Sequence, residues 1–148
     1  MCIRDSAVDL SPEALEVARR NAKEHGLDER IEFFEGDLVA PLRGQEPVHA
    51  IAANLPYVTE SEWTECEPEV KDHDPKLALV AGPDGLELVQ RLIEEAPAVL
   101  AEGGWLGLEV GWKQARRTAE LLEAAGWSAI EVRKDFAGIE RIVEARRA

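Results

Sequence analysis

At 148 residues, the chain has room for one domain with a real core and no more. Its composition, 45% hydrophobic, is that of a globular protein, and no apolar run approaches the roughly 20 residues that a membrane span needs. Thirty acidic residues against 17 basic ones give a net charge of −13, which repels a phosphate backbone unless a local basic patch overrides it and so disfavours direct nucleic-acid binding.

Along the chain, the opening MCIRDS mixes apolar and charged residues, has no apolar core and is no signal peptide. It shows neither a helical nor a strand period, and residues 1–6 read as a foreign or truncated start. Ala7 to Leu10 reads as the end of a strand. Ser11 then caps a helix with Pro12 in its first turn, and Leu15, Ala18 and Ala22 form an apolar stripe that stops at Gly26. Ile31–Glu35 is a second strand and Val48–Ala53 a third. The polar connection from Tyr57 to Asp84 is longer than compact domains usually carry without a purpose, which makes it the place for a substrate lid.

Leu86, Val89, Ile93, Ala96 and Leu100 mark a helix bent near Pro97, and Gly103-Gly104 turns the chain into a strand from Trp105 to Val110. Another helix runs from about Lys113 to Ala125 and ends at Gly126. Two β segments close the chain, about Ser128–Lys134 and Glu140–Ala145. Short apolar runs alternating with amphipathic segments define an α/β fold, a parallel sheet covered by helices, and the closing strand pair adds an antiparallel edge strand.

Cys2 and Cys66 are too few for a disulfide framework and have no metal-ligand spacing, so no metal site is expected and a reducing cytoplasm fits. The clusters Arg19-Arg20, Arg116-Arg117 and Arg146-Arg147 read as solvated charge.

In open α/β sheets, ligands sit beyond the carboxyl ends of the strands, where this chain places Asp9, Asp37 and Asn54. A carboxylate after the second strand of a nucleotide-binding half offers two acceptor oxygens to a ribose diol; alternatively, Asp9 only helps to cap the next helix. Asp37 can accept from an adenine amino group while Leu38 packs on the ring, or it can serve as an ordinary turn residue after Gly36. Asn54-Leu55-Pro56-Tyr57 is sharper. A carboxamide nitrogen is a poor nucleophile because its lone pair is delocalised, so an enzyme that uses one must hold both N–H bonds and aim the lone pair. The side-chain oxygen of Asn54 can accept one N–H and the main-chain carbonyl of Leu55 the other. Pro56 fixes the backbone and Tyr57 covers the flat face. The plainer alternative is an Asn-initiated turn with a packing tyrosine.

The segments AVDLSPEALEVARRNA, GD at 36–37, NLPY at 54–57, EPEV at 67–70, DPKLALVAGPDGLELV at 74–89, GGWLGLEVGWKQ at 103–114 and KDFAGIERIVEAR at 134–146 together resemble the peptide chain release factor glutamine N5-methyltransferases. The resemblance covers residues 7–146. It implies a Rossmann-like, class I S-adenosylmethionine-dependent methyltransferase fold and transfer of a methyl group to the side-chain amide of the glutamine in the GGQ loop of bacterial release factors, the protein partners. It further implies that Asp9 binds the ribose, Asp37 and Leu38 the adenine, and Asn54 both S-adenosylmethionine and the substrate glutamine. Leu55, Pro56 and Tyr57 complete the glutamine pocket, with Asn54, Pro56 and Tyr57 as the catalytic set.

The family usually reads Asn-Pro-Pro-Tyr; Leu55 takes the second position, which contributes a backbone carbonyl. The family's strand order is 3-2-1-4-5-7-6, with a small helical domain and a first strand ending in a Gly-rich loop upstream of the segment matched by Ala7. Neither is expected in this chain, so residues 7–148 read as the C-terminal part of a catalytic domain, inactive alone and weak in cofactor binding. The alternatives are a ribosomal-protein glutamine or adenine N6 methyltransferase, or a non-catalytic fragment of the family.

Overall fold

The computed structural model describes residues 4–148; Met1, Cys2 and Ile3 lie outside the described residues, and with them the reading of Cys2 and the first half of the expected foreign start. The chain divides into two compact units, Met1–Gln45 and Glu46–Ala148.

The first unit is a β-α-β crossover: β1 (Asp5–Asp9), α1 (Pro12–Glu24) and β2 (Ile31–Glu35), followed by a 3₁₀ turn at Ala40–Leu42. The strands pair in parallel, from Asp5 opposite Ile31 to Asp9 opposite Glu35. The first strand starts two residues earlier than the sequence pattern predicts: Asp5 and Ser6 are exposed, so no apolar alternation marks them, and it is the ladder to β2 that makes them strand. Helix α1 begins as expected. Ser11 has extended backbone, and its Oγ accepts the Ala14 N–H at 3.1 Å. The helix buries Leu15 and Ala22, and it ends where Gly26 takes a left-handed φ of 66° that a side chain would strain. Arg19 is more than solvated charge, since its guanidinium donates to the Phe33 carbonyl at 3.2 Å and lies 5.2 Å from the Phe33 ring centre.

The second unit carries β3 (Val48–Asn54), the short helices α2 (Glu60–Glu65), α3 (Pro68–His73) and α4 (Lys76–Leu79), then α5 (Glu87–Glu95), β4 (Leu100–Glu109), α6 (Ala115–Ala124), β5 (Ser128–Lys134) and β6 (Glu140–Arg146). Its sheet has the order β3-β4-β6-β5, in which β3 and β4 are parallel and β6 runs antiparallel to both neighbours, leaving β5 as the antiparallel-paired edge. Val89, Leu92 and Ile93 of α5, Leu106 and Leu108 of β4, Leu122 of α6 and Val143 of β6 are buried and form its core. Among the described residues no strand pairs with the second edge of β1 or of β3.

Four expectations change. The helix begun at Leu86 does not reach Leu100: it gives way to a 3₁₀ turn at Ala96–Ala98, around Pro97, and Leu100 already opens β4. Gly103-Gly104 therefore lies inside β4 rather than before it. The register jumps from Val48 opposite Leu100 to Ala50 opposite Trp105, an irregularity that the φ of 67° at Gly103 accommodates. The final arginine pair is not free charge either, because the Arg146 side chain donates to the Gly103 carbonyl at 3.3 Å and Arg147 donates to the carbonyls of Gly104 and Leu100. Finally, the connection predicted from Tyr57 to Asp84 is not structureless, since it holds α2, α3 and α4.

Candidate functional site

In the first unit, the parallel pairing brings the two predicted acids to one end of the sheet. The last ladder pair is Asp9 with Glu35, and the Gly36 N–H donates to the Asp9 carbonyl at 3.0 Å, so Asp37 follows directly beside the end of β1. Asp9 Oδ1 accepts the Ser11 N–H at 2.8 Å, which is the capping role of the plainer reading. Its Oδ2 has no hydrogen bond among the described residues, and Asp9 is exposed, so one acceptor oxygen stays open to a ligand.

Asp37 heads a tight turn in which its carbonyl accepts the Ala40 N–H at 3.0 Å. Leu38 sits in that turn at a φ of 48°, a left-handed conformation that costs a non-glycine residue about 1 kcal/mol or more. Gly36 is required for packing, because a Cβ there would lie 2.3 Å from the Pro41 ring. Beside these groups the Glu13 carboxylate is held below the ordinary range by backbone and Ser11 hydrogen bonds at the start of α1, and it stays ionised.

In the second unit, Asn54 ends β3 opposite Glu109 of β4. Its carboxamide is exposed and has no hydrogen-bond partner among the described residues, and neither has the Leu55 carbonyl. The plainer reading of an Asn-initiated turn requires that carboxamide to bond to nearby backbone, which it does not. Two acceptors thus stand free at successive residues.

The chain beyond them is tied down. The N–H groups of Tyr57 and Val58 both donate to the Leu79 carbonyl, at 3.1 and 2.9 Å, and the Ala81 N–H donates to the Val58 carbonyl at 3.0 Å. Val58 and Val80 form an isolated parallel bridge. Behind it, α2 starts with a capping box in which Thr59 and Glu62 exchange side-chain and backbone hydrogen bonds. Those bonds from the Thr59 N–H and hydroxyl hold the Glu62 carboxylate below its usual range, and Lys113 adds a smaller push in the same direction.

Sequence reasoning passed over Gln114. Its Oε1 accepts the Gly111 N–H at 2.9 Å, while Nε2 donates to the carbonyls of Tyr57 at 3.1 Å and Gly85 at 3.2 Å. No local signal marks it: Gln114 stands at the N-cap position of α6, yet its side chain makes no capping bond and reaches groups distant in the chain.

An open carboxylate oxygen beside a turn that displays Leu38 suits the diol and base of a nucleoside, and two adjacent acceptors suit a carboxamide NH₂. The comparisons with known proteins run the same way. The family model UPF0020, described as RMKL-like, methyltransferase domain, matches residues 3–65. Among solved structures, a methyltransferase from Pyrococcus furiosus superposes with a TM-score of 0.70 at 19% identity, covering 98% of this chain and 63% of that one. A protein-(glutamine-N5) methyltransferase, release factor-specific, from Alicyclobacillus acidocaldarius superposes with a TM-score of 0.53 at 22% identity, covering 97% and 79%. The fold is that of the class I S-adenosylmethionine-dependent methyltransferases.

The sequence is similar along nearly its whole length to proteins named release factor glutamine methyltransferase. The protein of that name from Deinococcus radiodurans is 49% identical over 143 residues, which is 97% of this chain and 49% of that protein. Further relatives at 36–42% identity carry the same name. The chain spans about half the length of the curated relatives it matches.

Proposed function

We propose that these residues belong to an enzyme that transfers a methyl group from S-adenosylmethionine to the side-chain amide nitrogen of a protein glutamine, that of the GGQ loop of peptide chain release factors, in the bacterial cytoplasm. When bound, S-adenosylmethionine supplies an electrophilic methyl group. Asp9 takes the ribose hydroxyls, using the oxygen that Ser11 leaves open; Asp37 takes the adenine amino group, and Leu38 packs on its ring. Asn54 Oδ1 and the Leu55 carbonyl each accept one N–H of the substrate carboxamide, Pro56 stiffens the backbone between them and Tyr57, and the Tyr57 ring covers the amide plane. Asn54 also faces the cofactor.

With both N–H bonds held, the nitrogen lone pair is aimed, and the acceptors stabilise the positive charge that grows on nitrogen as the new bond forms. No base is needed before transfer, because the proton is lost only from the methylated nitrogen. The observation that carries the reading is the pair of open acceptors, the Asn54 carboxamide and the Leu55 carbonyl, next to a segment fixed on both sides.

The test uses tritiated methyl donor with release factor, ribosomal protein and duplex DNA. It is run on the chain alone and on the chain joined to the part of the Deinococcus radiodurans relative that it does not span. Label on the release-factor glutamine, reduced about 10²–10³-fold by Asn54→Ala with unfolding unchanged, supports the reading. Label on ribosomal protein or DNA instead, or transfer indifferent to Asn54→Ala, overturns it.

A further inference from the structure

We propose that Gln114 is a positioning residue for the glutamine-binding loop; this rests on the function proposed above and adds to it the device that sets the loop's geometry. Three loops meet at its carboxamide. From the β3 side comes the Tyr57 carbonyl, from the start of α5 the Gly85 carbonyl, and from the end of β4 the Gly111 N–H. A carboxamide is the one ordinary side-chain group that offers an acceptor and two donors in a single plane, and all of them are used here. The Tyr57 carbonyl has no other partner among the described residues, so the peptide plane that follows Tyr57 is held at its carbonyl by Gln114 and at its Val58 N–H by the Leu79 carbonyl.

The surrounding backbone is built to let the carboxamide in. A Cβ on Gly85 would come within 2.4 Å of the Tyr57 carbonyl oxygen and 2.7 Å of Gln114 Nε2. A Cβ on Gly111 would come within 2.8 Å of Gln114 Oε1 and 3.3 Å of the Tyr57 ring. Both glycines therefore stand where any side chain would displace either the clamp or the tyrosine. The clamp matters for the reaction because Tyr57 lies two residues from the Leu55 carbonyl, across the stiff Pro56. A shift of the peptide after Tyr57 is carried to the acceptors, and misplacement on the ångström scale at a reacting group can cost about a hundredfold in rate. Helix α6 gives up a side-chain cap for this, since Gln114 turns away from the helix's own first N–H groups.

Two variants separate the clamp from general folding. Gln114→Ala removes both donors and the acceptor; Gln114→Glu keeps an acceptor but aims a carboxylate at two carbonyl oxygens. Amide hydrogen exchange of the purified chain is read at Tyr57, Val58 and Gly111, with Leu106 and Leu108 of β4 as the folding control. Expected for both variants is exchange faster by about tenfold or more at the three loop amides, with the β4 amides unchanged. For Gln114→Glu the loss reverses as pH falls and the carboxyl regains an O–H donor. In the methyl-transfer assay, kcat falls about tenfold or more while KM for release factor stays within about twofold. Wild-type loop protection in both variants, or equal loss of protection in loop and β4, overturns the proposal. If no methyl transfer occurs even with wild type, the functional reading fails, and the exchange data still decide whether Gln114 orders the loop.

Discussion

Replacing Gly85 by alanine tests the packing around the Tyr57 loop with a single added methyl group. Gly85 has a φ of 72°, and an alanine there pays the left-handed conformation, about 1 kcal/mol. The added methyl would also sit 2.4 Å from the Tyr57 carbonyl oxygen, a backbone atom that cannot rotate away, so the loop must move by at least half an ångström. That movement breaks the Gln114 bonds to Tyr57 and Gly85, each worth about 1 kcal/mol. The expected destabilisation is about 3 kcal/mol, or roughly 10 °C in Tm.

Gly126 supplies the internal control. Its φ is 81° and nothing lies within 4 Å of a Cβ built there, so Gly126→Ala carries the conformational cost alone, about 1 kcal/mol. All four tryptophans, Trp63, Trp105, Trp112 and Trp127, lie in the second unit, so fluorescence-detected unfolding reports on that unit and not on the first. A Gly85→Ala variant that melts within about 2 °C of Gly126→Ala would show that the three-loop junction is slack and refute the reasoning.

Two further substitutions address the acids. Asp9→Asn keeps an acceptor for the Ser11 N–H and removes only the charge, so helix α1 should melt as in wild type while S-adenosylmethionine affinity, measured by calorimetry on the joined protein, falls roughly tenfold to a hundredfold; unchanged affinity returns Asp9 to helix capping alone. Because the folded Glu62 carboxyl titrates below its unfolded value, the stability it lends to α2 is present above the unfolded pKa, about 4.5, and is lost as pH falls through the lower folded value. Exchange at the α2 amides should accelerate over that acidic window in wild type but not in Glu62→Gln, and identical pH profiles would show that the carboxylate does not hold the cap.

Much of the fold could be read from the sequence because its signals are local. The strands Ile31–Glu35 and Ser128–Lys134 fall where the apolar runs place them, and Ser11, Pro12 and Gly26 bracket α1 by chemistry that acts within a turn. Errors arose where two structures ask for the same residue. Leu100 is buried in either a helix or a strand, so its apolar character continued the spacing of α5 although it is the first residue of β4. The glycine pair at 103–104 looks like a turn because glycine marks both turns and bulges, and only the partner strand tells them apart. Helices α2, α3 and α4 have six, six and four residues, too few for a 3.6-residue period to declare itself, although the Thr59-x-x-Glu62 box is visible in the sequence once sought.

The candidate site divides along the same line. Asp9 and Asn54 each end a strand and Asp37 follows two residues after one, so all three stand out in the sequence as candidates, because strand ends are where such folds present their chemistry. Gln114 does not, since its partner Tyr57 is 57 residues away and no local pattern records that distance. The candidate ligand-contacting residues are thus marked by position in the topology, whereas the residue proposed to position the Tyr57 loop is marked only by three-dimensional packing. A sequence comparison that scores the NLPY stretch alone would accept a chain with Glu or Ala at 114, or with a side chain at 85 or 111. Tyr57, Gly85, Gly111 and Gln114 form one unit, because a side chain at 85 or 111 would meet the carbonyl or the ring of Tyr57, and Gln114 bonds to that carbonyl.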